Sequence, residues 1–451
     1  MYSQENTNSK DTIFSECSGN GKSGVKVFRI SGSKAFEIIL YFNPAIQINP
    51  RQAIYKNIYY PNTKNLIDKS LIIFFKGPSS FTGEDIIEIH THGSIAISKI
   101  IYNILSKIDG VRLAGPGEFS KRAFLNGKMD LTEAEGLADL IDSETIMQHK
   151  QAVRQYNGEL KNLYESWRKI LIEIYSNLEA LIDFPDEDIP SEILVEIKEK
   201  ILLLKNKIND HLKDNRRGQT LKDGIKLSII GEPNVGKSSL INYLSQNDIS
   251  IVSDQAGTTR DIVNCHLDIG GYPIILADTA GINHYSSNEI EKEGIRRALK
   301  VAKESDIKII LFDYKTIQNI SSDIYSLIDE NSICVLNKID ISNSEIKMIN
   351  NNHILNISIK ESIGLDRLID RIIDYAKICA SPSASASITR SRYRENLEKI
   401  YEILDNIDLE GDIVLLAEDI RICSRYIGRI TGKISVDDIL GEIFANFCIG
   451  K

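Results

Sequence analysis

The chain has 451 residues, of which 42% are hydrophobic and 26% charged, and its formal net charge is −9. That length exceeds one hydrophobic core and leads to an expectation of about three domains, while the ordinary composition excludes a fibrous or wholly disordered chain. A net negative charge also argues against a protein that coats nucleic acid unaided, because that affinity comes mostly from neutralised phosphates, and leaves open a local basic face or a basic partner.

No apolar run approaches the roughly 18 residues needed to span a bilayer, and Met1 to Thr12 is polar without a signal-peptide pattern. No membrane association and a cytoplasmic location are expected. Cysteines at 17, 265, 334, 379, 423 and 448 form no CxxC pair, which suits a reducing compartment and implies no structural zinc.

In chain order, Gly24–Ile30, Ser70–Phe75 and Asp85–His90 read as strands and Ser94–Ile108 as a helix, giving a small α/β domain. From Glu118 to His211 helical patterns take over. Leu160, Leu163, Trp167, Ile170, Leu171, Ile174, Leu178 and Leu181 recur at spacings of three and four, and Phe184-Pro185-Asp186-Glu187-Asp188 breaks the run. From Ile225–Ile230 to about Ala380, β runs alternate with helices, the pattern of a doubly wound sheet. Ser381-Pro382-Ser383-Ala384-Ser385-Ala386-Ser387 reads as a linker, after which Arg392 to Ile443 is again helical. The expected domains are 1–117 (α/β), 118–217 (helical), 218–380 (doubly wound α/β) and 381–451 (helical), the third being an insertion in one helical domain.

Gly231-Glu232-Pro233-Asn234-Val235-Gly236-Lys237-Ser238 matches G-x-x-x-x-G-K-S, directly after an apolar strand and before the helical run Ser239–Leu244. That is the context a phosphate-binding loop requires: backbone N–H groups close on the β-phosphate, Lys237 adds charge and the Ser238 hydroxyl can ligate Mg²⁺. Thr259, in Gly257-Thr258-Thr259-Arg260-Asp261, is a candidate second Mg²⁺ ligand. Asp278-Thr279-Ala280-Gly281 follows the strand Ile274–Ala277, with Asp278 expected near the metal and the Gly281 N–H near the γ-phosphate. Asn337-Lys338-Ile339-Asp340 follows the strand Ser332–Leu336. An aspartate there accepts from guanine's N1–H and exocyclic amine, which adenine cannot match, so the expected ligand is GTP. Ser358-Ile359-Lys360, after His353–Ile357, occupies the place where such proteins brace the base.

Ras-type GTPases carry a water-orienting Gln where Ile282 stands. Hydrolysis must be organised differently: either activity is negligible and the protein is a slow switch, or another polar group positions the water, Glu291 being the nearest candidate against the alternative of a solvated helix face. Asn234 suggests where a monovalent cation binds beside the phosphates.

The whole chain resembles the MnmE (TrmE) family of tRNA-modification GTPases. Beyond the nucleotide motifs, the resemblance rests on Phe28-Arg29-Ile30-Ser31-Gly32, Phe81-Thr82-Gly83-Glu84-Asp85, Pro116-Gly117-Glu118-Phe119-Ser120, Arg122-Ala123-Phe124-Leu125-Asn126-Gly127-Lys128, Asp183-Phe184-Pro185-Asp186-Glu187 and Phe447-Cys448-Ile449-Gly450-Lys451. It implies an N-terminal folate-binding and dimerisation domain, a helical domain, and a Ras-like G domain inserted in the helical domain. It implies a homodimer whose G domains pair with K⁺ in place of an arginine finger, Asn234, Ser253, Gln255 and Thr258 surrounding the ion and Glu291 orienting water. The GTP-binding set becomes Asn234, Val235, Gly236, Lys237, Ser238 and Ser239; Ser253, Asp254, Gln255, Ala256, Gly257, Thr258 and Thr259; Asp278, Thr279, Ala280 and Gly281; and Asn337, Lys338, Asp340 and Ser358. With an FAD-dependent partner, MnmG (GidA), in a heterotetramer, the implied product is a 5-aminomethyl or 5-carboxymethylaminomethyl group on the wobble uridine (position 34) of certain tRNAs. The one-carbon unit would come from a 5-formyl- or methylene-tetrahydrofolate held by Arg29, Glu88, Lys128 and Lys451. Cys448 would lie near that folate, with a role in the chemistry or as a packed terminal residue.

Two departures lie close to the expected folate pocket. Glu16-Cys17-Ser18-Gly19-Asn20-Gly21-Lys22-Ser23-Gly24 stands where the family usually has Ala-Thr-Pro-Pro-Gly-x-Gly-Gly, and His92-Gly93-Ser94 replaces His-Gly-Gly. His90 and His92 share a strand face but lack a third metal ligand, so packing or hydrogen bonding is expected. Arg390, Arg392, Tyr393 and Arg394 read as a solvated helix start, with RNA contact the alternative. A different class of function, a GTP-controlled RNA-binding switch in ribosome assembly, would lack the N-terminal domain and the Cys-Ile-Gly-Lys ending and carry an obvious basic domain.

Overall fold

The structure is a computed structural model that describes residues 11–19, 21–184, 192–246, 265–277, 300–318, 320–341, 348–349, 352–380, 386–434, 437–445, 447–448 and 450. It divides into two compact units, residues 1–138 with 428–451, and residues 139–427.

The first unit is built on a six-stranded sheet: β1 (Thr12–Glu16), β2 (Ser23–Ser31), β3 (Ala53–Tyr59), β4 (Leu66–Phe75), β5 (Ile86–Gly93) and β6 (Val111–Leu113), in the order β3-β4-β5-β2-β1-β6. Strand period two sorts the side chains between faces. Phe28 and Ile30 of β2 join Ile87 and Ile89 of β5 in a core closed by Ile38, Ile39 and Phe42 of helix Ala35–Phe42 and by Ile101 and Leu105 of helix Ile95–Leu105. Ser94 caps the latter helix by accepting from Ala96 N. The alternate residues, Arg29 on β2 and Glu88 on β5, lie on the opposite face and directly across from each other in the antiparallel register.

Residues 118–138 cluster with this unit rather than with the helices that follow, and the physical reason is apolar burial. Ala123, Met129, Leu131 and Ala134 share a core with Leu440, Phe444 and Phe447, so the tail and the helices after the first sheet bury one another.

In the second unit, a seven-stranded sheet comprises β7 (Ile225–Ile230), β8 (Cys265–Ile269), β9 (Tyr272–Leu276), β10 (Ile307–Phe312), β11 (Ser332–Leu336), β12 (Met348–Ile349) and β13 (Asn352–Asn356), ordered β12-β13-β11-β10-β7-β9-β8. β10 and β11 are buried at every position, as expected of parallel strands covered on both faces. β7 pairs in parallel with β9 on one side and β10 on the other. The order therefore reverses at β7, and the carboxyl end of such a strand is where open α/β sheets bind ligands.

Helices precede and follow this sheet in sequence and pack together. In helix Glu159–Asp183 the expected stripe is seen, with Leu160, Trp167, Leu171, Ile174 and Leu178 buried, and Tyr164 taking the place foreseen for Leu163. Tyr164, Trp167 and His211 meet Tyr393, of helix Ser391–Asn406, in an aromatic cluster with centroids 5.4–6.3 Å apart. The Arg390–Arg394 run is consequently not a solvated helix start. Tyr393 is fully buried, Arg394 pairs with Asp214 and donates to Leu212 O at 2.9 Å, and Arg390 pairs with Asp139 at 2.8 Å. The charges that looked exposed in sequence find carboxylates and carbonyls brought in by distant helices.

His211 gives this joint a pH dependence. Burial, opposed by Asp214 and reinforced by Arg394, lowers its pKa from 6.5 to about 4, so the ring is neutral where Tyr164 Oη meets its Nε2 at 3.3 Å. Because the folded form resists protonation, the contribution of this group is complete above pH 6.5 and is lost as pH falls towards about 4. The thermal midpoint of the wild type should fall more steeply across that window than that of His211→Gln; parallel profiles would contradict the assignment.

Candidate functional site

The loop leaving β7 has the conformation its glycines permit. Asn234 and Gly236 take φ of +64° and +108°, and a Cβ added at Gly236 would sit 2.4 Å from Asn337 Nδ2. At Gly231 it would sit 2.3 Å from Leu311 O. Val235 is buried, whereas Ser238 and Ser239 are exposed in the first turn of helix Lys237–Gln246, where unpaired N–H groups and the helix dipole favour an anion. Lys237 Nζ donates to Gly231 O and Glu232 O, both at 2.8 Å, which arches the side chain over the loop. Burial lowers its pKa, partly offset by Glu232.

Asn337 ties this loop to the base-recognition segments: its Nδ2 donates to Val235 O at 2.8 Å, and its Oδ1 accepts from Ile359 N at 3.2 Å. Lys338, at φ +66°, donates to Asn234 O at 2.5 Å and reaches Asp313 at 3.4 Å. Asp313 was not foreseen, although a polar residue ending the apolar strand β10 was the available signal. Its carboxyl lies below the usual range: burial pushes the pKa up, but the Thr316 and Lys315 N–H groups and Lys338 outweigh it. Asp340 accepts from Ser358 Oγ at 2.6 Å, and that hydrogen bond, against some burial, holds its pKa down. Ser358 accepts from Glu361 N at 3.2 Å. An ionised, braced carboxylate at this point matches guanine's two donors.

Of the nucleotide set, Asn234, Val235, Gly236, Lys237, Ser238, Ser239, Asn337, Lys338, Asp340 and Ser358 are thus brought to one end of the second sheet. Ser253, Asp254, Gln255, Ala256, Gly257, Thr258, Thr259, Asp278, Thr279, Ala280, Gly281, Ile282 and Glu291 lie outside the described residues, as does Lys451.

A second cluster occupies the polar face of the first sheet. Arg29 pairs with Glu88 at 2.9 Å, and its guanidinium lies 5.3 Å from the Phe81 ring centroid and 5.7 Å from that of Phe119. Cation–π contact to two rings fixes the plane of the guanidinium. The helix carrying Phe119, Glu118–Leu125, is anchored by Arg122, which pairs with Glu84 and Glu118 at 3.1 Å, and by Arg112, 2.6 Å from Glu118. Lys128, exposed, donates to Pro78 O at 2.9 Å. His90 and His92 face carboxylates, Glu88 at 3.4 Å and Asp68 at 2.7 Å. The tail docks beside Phe119: Gly117 N donates to Cys448 O at 3.3 Å, and Cys448 is exposed. Phe81 and Phe119 belong to separate sequence motifs, and their stacking on Arg29 depends on distant segments converging.

The loops around β7, β10 and β11 define a guanine-nucleotide-binding module of the phosphate-loop class. A family model described as the MnmE helical domain matches residues 131–448, and one described as the GTP-binding protein TrmE N-terminus matches 12–128. Over 444 residues the chain is 53% identical to the tRNA modification GTPase MnmE of Rickettsia rickettsii (strain Sheila Smith), covering 98% of this chain and 100% of that one. It is 52% identical to the protein of the same name from Orientia tsutsugamushi (strain Boryong), covering 98% and 99%. Among solved structures, the G domain of the T. maritima FeoB iron transporter aligns at 25% identity and TM-score 0.25, covering 34% of this chain and 98% of that one. The chain belongs to the MnmE family of tRNA modification GTPases: it binds GTP and is a GTP hydrolase in tRNA modification. Among the described residues, no helix is long and apolar enough to cross a membrane.

Asp340→Asn replaces an acceptor pair by an amide that opposes one guanine donor with its own N–H. GTP affinity should fall by about a hundredfold, two charge-assisted hydrogen bonds being at stake. Titration with a fluorescent GTP analogue measures this, and unchanged affinity would remove Asp340 from base recognition.

Proposed function

We propose that this GTPase is stimulated by K⁺ and that, with the FAD-dependent partner MnmG, it forms the 5-aminomethyl or 5-carboxymethylaminomethyl group on wobble uridines. The observation that carries the tRNA-modification part is the Arg29–Glu88 pair between Phe81 and Phe119, with the Cys448 ending docked alongside. Aromatic rings flanking a charged, hydrogen-bonding pair fit a flat, polar-edged pterin, so Arg29, Glu88 and Lys128, with Lys451, would hold a tetrahydrofolate derivative. When bound, that group supplies the one-carbon unit at the formyl or methylene oxidation level. Glu88 can accept from an amino-pyrimidinone edge while Arg29 and the two rings set its plane, and the exposed Cys448 is available as a nucleophile when ionised.

In the G domain, Lys237 and the loop N–H groups bind the phosphates, and Ser238 with Thr259 would ligate Mg²⁺, which neutralises phosphate charge. Asn234, exposed at a positive φ, would ligate K⁺ together with Ser253, Gln255 and Thr258. Glu291 would orient the attacking water where Ile282 cannot. The protein would act in the cytoplasm as a homodimer within a heterotetramer with MnmG, its G domain inserted within the helical domain. That insertion is supported by the packing of helix Ser391–Asn406 on the helices that precede the sheet.

A route for coupling lies in the β8–β9 hairpin, which joins the Thr258-Thr259 stretch to Asp278–Gly281. Its turn docks on helix Ile146–Tyr156, with Gly271 O accepting from Met147 N at 3.1 Å, while Gln148, part of that helix's capping box, donates to Lys222 O at 3.1 Å. Movement of either phosphate-sensing stretch would be carried to the helices.

GTP turnover should rise at least about tenfold when K⁺ replaces Na⁺ at constant ionic strength, since a correctly placed cation stabilises charge developing in the transition state. Equal rates would overturn the ion assignment.

A further inference from the structure

The stretch Glu16-Cys17-Ser18, where the resemblance departs from its usual pattern, is held rigidly in the first unit. Glu16 ends β1 as a largely buried carboxylate, 2.6 Å from the buried Lys26 Nζ and accepting from Ser98 Oγ at 3.0 Å, and its N–H donates to Tyr102 Oη at 3.3 Å. Cys17 N donates to Val27 O at 2.8 Å, and Ser18 Oγ accepts from Val27 N at 3.2 Å. Removing a partner from a buried ion pair leaves an uncompensated charge, so Glu16 has little freedom to move.

The C-terminal ending is seated on this platform. The Cys17 thiol donates to Gly450 O at 2.9 Å. Gly450 is buried at φ +102°, and a Cβ there would lie 2.6 Å from Glu16 O and 3.3 Å from Cys17 Cα. Only glycine approaches a strand end so closely at that φ. Phe447 is buried in the core with Phe444, and Cys448 O takes the Gly117 N–H. Cys448 therefore lies between two anchors, the Phe447–Gly117 contact before it and the Cys17–Gly450 contact after it. With the first anchor alone, the final residues would fray as chain ends ordinarily do.

We infer that Cys17 is a positioning residue: its thiol, with the glycine fit at Gly450, clamps the Cys-Ile-Gly-Lys ending and so holds Cys448 beside the Arg29–Phe119 face. The consequence for catalysis rests on the role proposed above for Cys448, but the clamp itself does not. It is a single thiol–carbonyl bond plus a close backbone fit, of a strength that biases the tail rather than locking it.

The test uses the full-length protein and two readouts. Hydrogen–deuterium exchange of the C-terminal peptide should rise roughly fivefold in Cys17→Ala, be restored in Cys17→Ser, whose hydroxyl still donates, and rise in Gly450→Ala, whose Cβ enters the Glu16 carbonyl. Wild-type exchange in both Cys17→Ala and Gly450→Ala would overturn the clamp. In Cys17→Ala and Gly450→Ala, kcat for tRNA modification should fall with the KM for GTP and the GTPase rate unchanged, and Cys17→Ser should keep it. Tail release with undiminished modification would support the clamp while overturning the role of Cys448 in the chemistry.

Discussion

Asn337 spans the space between two loops of the second sheet, giving one hydrogen bond to Val235 O and taking one from Ile359 N. The phosphate loop follows β7, Asn337 follows β11, and β10 lies between them. A single amide thus sets the distance between the part of the pocket that grips phosphates and the part that reads the base. Glycine at 236 follows from it, because any Cβ would occupy the place of the amide. Lys338, drawn to Asn234 O and Asp313, and Asp340, braced by Ser358, are further ties in the same frame. The loop after β7 and the loops after β11 and β13 are therefore held as one frame.

A comparable economy holds in the first unit. The two-residue period of β2 sends Phe28 and Ile30 into the core and Arg29 to the opposite face, where antiparallel register sets it across from Glu88. The pair would be an ordinary partly exposed ion pair, worth little by itself, but for the aromatic rings that flank it. Those rings are held by the Arg112–Glu118–Arg122–Glu84 chain, so charges some way from Arg29 decide its orientation. Apolar burial of Phe444 and Phe447 then brings the chain's far end to the same region.

Elements with one dominant local signal were legible in the sequence. Ile225–Ile230 and Ser332–Leu336 are strands over the very residues their apolar runs indicated, since a buried parallel strand needs no partner information to be recognised. Ala53–Tyr59, at the sheet edge with only Ile58 buried, and the three-residue Val111–Leu113 gave no such signal. The Gly231–Ser238 and Asn337–Asp340 motifs were legible because each is contiguous in sequence. What joins them was not: Asp313, the bridging function of Asn337, the rings over Arg29 and the burial of Arg394 all depend on partners distant in sequence. The same holds for residues 118–138, whose allegiance to the first sheet is settled by side chains from residues 440–447.

In the proposed cycle, GTP hydrolysis at the site organised by Asn337 would move helices, and chemistry at the sheet face organised by Arg29 would alter tRNA. Nucleoside analysis of tRNA from cells lacking this protein tests that link most directly. The account predicts that wobble uridines lose the 5-aminomethyl or 5-carboxymethylaminomethyl group, whereas a normal complement of modified wobble uridines would contradict it.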